Sequence, residues 1–170
     1  GSYAYVTAVS DHAFTIWDIS GSTPSQVGIL RGSGSPNYLG GARGLYVDEP
    51  NNRAYVTGQT DDSLVVIDIS TKSSPALVNQ VHGAGSPNYL DGAIAVWVDD
   101  GYAYVLSRSE DSLTIWDVSA VDSSNPPQKA WSIVGAGSPY YLDEAYALCK
   151  DGDDVYIAAY GDDALMLYDA

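Results

Sequence analysis

The sequence is poor in positive charge, in sulfur and in helical patterning. Only 7 Lys and Arg stand against 22 Asp and Glu, for a net charge of −15. The basic residues are scattered singly, so there is no cationic stripe to displace counterions from nucleic-acid phosphates. The same shortage argues against an anionic membrane surface. The single cysteine excludes an intrachain disulfide, and within the apolar stretch "YALCK" Cys149 reads as a small buried thiol. No apolar run reaches the ~18 residues of a spanning helix. No signal peptide is visible either. Gly1-Ser2 reads as a cloning remnant, which leaves a removed signal, a trimmed start and the localisation open.

Catalytic signatures are also missing. The two histidines, His12 and His82, fall in different repeats, and there is no metal-spaced His/Cys cluster, Gly-x-Ser-x-Gly elbow or Gly-x-Gly-x-x-Gly loop. "GSGSP" at 32–36 lacks the lysine and the following helix of a phosphate loop. On these grounds the chain is expected not to be an enzyme and to need no cofactor.

What the sequence does have is repetition. Aromatics are 14 Tyr and 4 Trp against 1 Phe, a choice suited to surfaces with one apolar and one wet side. "AYV" occurs at 4–6, 54–56 and 103–105, with "VYIA" at 155–158 as a diverged copy. "FTIWDIS", "LVVIDIS", "LTIWDVS" and "LMLYDA" form a second series, whose aspartates Asp18, Asp68, Asp117 and Asp169 recur at spacings of 50, 49 and 52 residues. "GSPNYL" stands at 34–39 and 85–90, and "GSPYYL" at 137–142.

Inside one repeat the pattern is that of strands. "GLYVD" precedes a Pro-Asn-Asn turn, "RAYVTGQT" ends at Asp61-Asp62, "SLVVIDIS" runs into "TKSSP", and "ALVNQVHG" leads to the GSPNYL segment. Short β-branched and aromatic runs bounded by Gly, Pro, Asn and Asp predict four strands in meander order, the plan of a propeller blade. The "LTIWDVS" series, with "AYV" before it and Pro-bearing loops after it, resembles the LVIVD-repeat β-propellers over nearly the whole chain. The resemblance implies an all-β fold of four-stranded blades around a channel, often in extracellular or surface proteins. It leaves function open, because propellers host unrelated activities. Departures are Asp-His-Ala-Phe at 11–14 and a fourth repeat that stops after three strands.

With strands named A (inner) to D (outer), the predicted blades are 3–31 (BCD), 42–82 (ABCD), 93–134 (ABCD) and 145–170 (ABC), a single partial domain of about three and a half blades. Such a half-ring leaves faces built for packing open to water, so a homodimer that closes the ring is expected. The alternatives are a four-bladed single-chain ring and a piece of a longer propeller.

Meander order puts the B–C turns and the D–A connectors on one face. The turns are Asp11-His12, Asp61-Asp62, Glu110-Asp111 and Asp162-Asp163, and the connectors carry Asn37, Tyr38, Asn88, Tyr89 and Tyr141. Asp91 and Asp143 follow the second and third connectors, where the first has Gly40. Acidic turns are ordinary turn formers, and the connector tyrosines with Leu39, Leu90 and Leu142 suit wedges between blades. The same face is nevertheless the candidate ligand surface, for a glycan or peptide, or for calcium if enough oxygens converge. The sequence-based reading is thus a non-catalytic, self-associating binding scaffold. Its rivals are a lectin-like or cation-dependent binder and a structural module of a larger surface or virion protein.

Overall fold

The computed structural model describes residues 1–169. Fourteen strands form four antiparallel meander sheets, here called blades 1 to 4. Blade 1 is β1 (Tyr3–Ala8), β2 (Ala13–Asp18) and β3 (Ser25–Arg31). Blade 2 is β4 (Ala42–Asp48), β5 (Arg53–Gly58), β6 (Ser63–Asp68) and β7 (Ala76–His82). Blade 3 is β8 (Ala93–Asp99), β9 (Tyr102–Ser107), β10 (Ser112–Asp117) and β11 (Gln128–Val134). Blade 4 is β12 (Ala145–Asp151), β13 (Asp154–Ala159) and β14 (Ala164–Asp169). Blades 2 and 3 are complete, blade 1 has no inner strand among the described residues, and blade 4 has no outer one.

Each strand alternates sides with period two, so each blade has two faces, and both are apolar in the interior blades. In β9, Ala103 and Val105 point one way while Tyr104 and Leu106 point the other, and all four are buried. Three hydrophobic clusters result, one per gap between neighbouring blades: Phe14 and Ile16 against Val65 and Ile67, Val66 and Tyr55 against Val105 and Trp116, and Leu106 and Leu113 against Val155 and Ile157. The innermost strand present in each blade packs on the next in series, β1 on β4, β4 on β8 and β8 on β12. The arc of blades does not close: the outward faces of blades 1 and 4 leave Val6, Leu165 and Leu167 exposed.

The strand-end aspartates close the C–D loops. Asp18, Asp68 and Asp117 each accept the backbone N–H of the serine two residues on, at 2.8, 2.8 and 2.9 Å. Hydrogen bonding to the same serines, led by the hydroxyl at Asp18 and Asp117 and by the N–H at Asp68, holds all three carboxyls below the usual carboxylate range. Cys149 is exposed instead of buried, because it lies on the outward face of blade 4, which no blade covers among the described residues.

Candidate functional site

The three connectors share one backbone design. The N–H of Tyr38, Tyr89 and Tyr141 donates to the carbonyl of Gly34, Gly85 and Gly137 at 2.8, 2.7 and 2.6 Å, closing a tight loop. Each loop contains a cis Ser-Pro bond. Each tyrosine takes a left-handed backbone, with φ of 50°, 56° and 51°, which costs a side chain of this size about 1 kcal/mol. That turn drives the next residue inward: Leu39, Leu90 and Leu142 are fully buried. The wedge between blades is therefore the leucine, and the tyrosine stays at the rim.

The acidic turns clamp these loops from both sides. The first acid of a turn holds the connector entering its blade. Asp61 accepts Gly34 N–H and Gly40 N–H, both at 2.7 Å, and the Ser33 hydroxyl at 2.9 Å. Glu110 accepts Gly85 N–H at 2.8 Å and Asp91 N–H at 3.3 Å. Asp162 accepts Gly137 N–H at 3.1 Å and Asp143 N–H at 2.9 Å. The second residue of a turn holds the connector leaving its blade. Asp62 accepts Gly92 N–H at 3.0 Å and Asp111 accepts Glu144 N–H at 3.3 Å. In blade 1 the His12 Nδ1 does this for Gly41 N–H at 2.9 Å, so the departing histidine keeps the acceptor role. Burial raises the carboxyls of Asp62 and Asp111, with smaller contributions from neighbouring carboxylates.

The clamp leaves little room at Gly40, where the other copies have Asp91 and Asp143. A Cβ at Gly40 would sit within 2.7 Å of the Asp61 Oδ2 that the loop wraps. It also separates the candidate residues by neighbourhood. Asn37 and Asn88 turn back to donate to Arg31 and His82 carbonyls at 2.9 and 2.8 Å. Tyr38 stacks on His82 of β7 at 4.1 Å, and Lys129 of β11 lies 4.9 Å from the Tyr89 ring centroid. Both rings thus rest on the outer strand of the next blade. The third connector has no such strand to rest on among the described residues, and Tyr140 and Tyr141 are exposed. Asp163 is exposed as well, and no connector follows it among the described residues. No group of three or more His, Cys, Asp or Glu converges on an ion position among the described residues.

The structure brings together residues that the sequence keeps far apart. Arg43 and Arg108 flank Tyr146 of β12, 5.3 and 5.0 Å from its ring centroid. Arg108 also donates to Tyr146 Oη at 3.2 Å and pairs with Glu144 at 2.5 Å, while Arg43 donates to Gln59 at 2.9 Å. The packing of β4, β8 and β12 in series brings these three repeats together, and no local motif announces it.

The outward face of blade 4 copies a buried one. In register, Ala147–Ala158–Leu165 and Cys149–Tyr156–Leu167 take the places of Ala95–Leu106–Leu113 and Trp97–Tyr104–Ile115. Leu113 is 1% exposed, whereas Leu165 is 76% and Leu167 59% exposed. The outward face of blade 1 copies the opposite kind. Ala4–Trp17 and Val6–Thr15 match Ala103–Trp116 and Val105–Thr114, down to an indole N–H donating to the threonine hydroxyl, at 2.9 and 2.8 Å.

The LVIVD repeat family matches residues 1–31, 40–82 and 92–129. No curated protein matches the chain. Among solved structures, a functionally unknown protein from Desulfotomaculum acetoxidans is 13% identical with a TM-score of 0.73, over 99% of this chain and 51% of its own. A candidate 6-phosphogluconolactonase from Bacteroides uniformis is 15% identical with a TM-score of 0.75, over 99% and 47%. The periplasmic gluconolactonase of Pseudomonas aeruginosa is 16% identical with a TM-score of 0.73, over 98% and 46%. This chain thus spans about half the length of these structures. At such identities the fold alone is shared. Two of the three carry enzyme names, which overturns the expectation that this chain is not an enzyme. The missing motifs belong to strand-to-helix folds, whereas a propeller gathers polar groups from several blades and leaves no contiguous signature.

Proposed function

Because the chain belongs to the LVIVD-repeat family of β-propellers, we propose that it is an interaction scaffold that completes its ring by taking up a second copy of itself. The observation that carries this is the pair of outward faces. The outward face of blade 4 has the residue pattern that blade 3 presents to blade 4. The outward face of blade 1 has the pattern that blade 3 presents to blade 2. Each is thus the surface that the other kind packs against inside the chain, at the three existing gaps. A two-fold pair of half-rings uses both faces of both copies and leaves neither kind over. The ring would hold eight blades, with three-stranded blades meeting at each seam.

Within this reading the loop face offers a glycan or peptide its exposed tyrosines, Tyr140, Tyr141 and Tyr160. The turn carboxylates are less available, since Asp61, Asp62, Glu110, Asp111 and Asp162 are engaged by backbone N–H groups.

Cys149 supplies the test. Its thiol is exposed on the face that a second copy covers. Labelling with a thiol reagent is expected to be fast at nanomolar protein and at least tenfold slower at high micromolar protein, by mass action. A rate independent of protein concentration, in a sample whose mass is that of one chain, would overturn the proposal.

A further inference from the structure

The three gaps between blades differ on the face opposite the connectors. In the gap between blades 1 and 2, Lys72 fills the space: its Nζ lies 5.6 Å from the Tyr5 ring centroid and 5.9 Å from that of Tyr3, and 3.0 Å from Glu49 Oε2. In the gap between blades 3 and 4, Lys150 does the same: its Nζ lies 5.8 Å from the Tyr104 ring centroid and 3.0 Å from Asp99 Oδ2. Both gaps therefore satisfy a strand-B tyrosine and a carboxylate at or just beyond the end of an inner strand with an ammonium group supplied by the chain.

The gap between blades 2 and 3 has the tyrosine and the carboxylates but neither lysine. Tyr55 corresponds to Tyr5 and Tyr104, Asp100 to Glu49, and Asp48 to Asp99. The position of Lys72 is Val121, and that of Lys150 is Val98. A cavity of about 650 Å³ opens there, lined by these five residues together with Tyr46. Tyr55 is 5% exposed, and its hydroxyl makes no hydrogen bond among the described residues. Burial raises that phenol, with Asp48 adding to the shift, so it stays protonated at neutral pH. Arg53 also borders the cavity but turns to Asp68, 3.5 Å away.

We propose that this cavity is a binding site for a primary alkylammonium group, the end of a lysine-like chain that takes the place of the two missing lysines. Its ammonium lies over the Tyr55 ring and pairs with Asp100 and Asp48, while the phenol accepts a hydrogen bond. Val98 and Val121 line the path for the methylenes. The size suits a short chain, within the usual range for small-molecule sites. Two sources carry this chemistry, a free amine and a lysine side chain of a peptide. The site lies inside one chain, so it is independent of ring closure.

The test is titration with butylammonium chloride and with Nα-acetyl-lysine amide, followed by amide NMR, with 1-butanol as the neutral control. Saturable shifts at Asp100, Gly101 and Val121 with both ammonium compounds, and none with butanol, are expected. Tighter binding of the lysine amide marks a peptide source, and equal binding marks a free amine. Val121→Lys, which places in this gap the lysine that blade 2 carries, should weaken binding at least about tenfold. Asp100→Asn keeps a residue tolerant of the left-handed backbone at φ 44°. It should weaken binding too, and it serves as the check if Val121→Lys fails to fold. Equal shifts from butanol and butylammonium, or unchanged binding in a folded variant, would overturn the proposal.

Discussion

The interior gaps and the two ends of this molecule are built from the same residues and stand in opposite states. Trp116 is 2% exposed between blades 2 and 3, while Trp17, with the same hydrogen bond to the same threonine position, borders water. Leu113 is buried by blade 4, while its copy Leu165 faces solvent. The repeat specifies a surface without specifying whether a neighbour exists to cover it. An interior face stabilises the chain, whereas an end face has no neighbour among the described residues to pack against.

Substitutions at paired positions separate the two states. The largest effect is expected for Leu113→Asp, which buries an unpaired carboxylate and should prevent folding. The double change Leu165→Asp with Leu167→Asp should leave a folded chain with intact β circular dichroism and abolish the dimer in gel filtration. Next, Leu90→Ala removes a connector wedge and should cost about 2–5 kcal/mol in chemical denaturation. A comparable truncation at Leu165 should change the stability of the isolated chain by less than about 0.5 kcal/mol.

The clamps give a smaller contrast. Asp61→Ala strands two N–H donors and a hydroxyl and should cost about 1–3 kcal/mol. Asp163→Ala, at the exposed turn with no following connector, should be near neutral, read in the same denaturation series.

The smallest effect is electrostatic. Asp62 and Asp111 are held above the ordinary carboxylate value of 3.8 by burial, so the folded chain binds their protons more tightly than the unfolded chain. Their ionisation opposes folding as pH rises through that window, and the penalty is fully present at neutral pH. Asp62→Asn, which keeps an oxygen to accept Gly92 N–H, should raise stability at pH 7 by a few tenths of a kcal/mol. The gain should shrink as pH falls towards 4, seen by thermal melts at several pH values.

Much of the fold was legible in the sequence, because strand, turn and blade are each set by local patterns. The "AYV" and "WDVS" series mark strands B and C, and the GSPNYL copies mark the crossings. Leu39 was legible as a wedge, but that Tyr38 is not one was not, since only the left-handed turn at Tyr38 decides which side chain enters the gap. Nor was the meeting of Arg43, Tyr146 and Arg108, which depends on bringing the inner strands around one axis. Cys149 looked buried by its apolar neighbours. It is exposed because alternation put it on the one face of blade 4 without a neighbour. The vacancy between blades 2 and 3 emerged only by comparing equivalent gaps, where Val98 and Val121 stand in place of lysines.

Ring closure by a second copy is the claim on which the contrast between ends and interior rests. The direct measurement is molar mass by light scattering at micromolar concentration. With a net charge of −15 on each copy, salt should favour association, so the measurement is best made at both low and high ionic strength. Ring closure requires a mass twice the 18.0 kDa of one chain, falling to one chain for the Leu165→Asp, Leu167→Asp variant. A monodisperse mass of 18.0 kDa for the unaltered chain at both salt concentrations would contradict it.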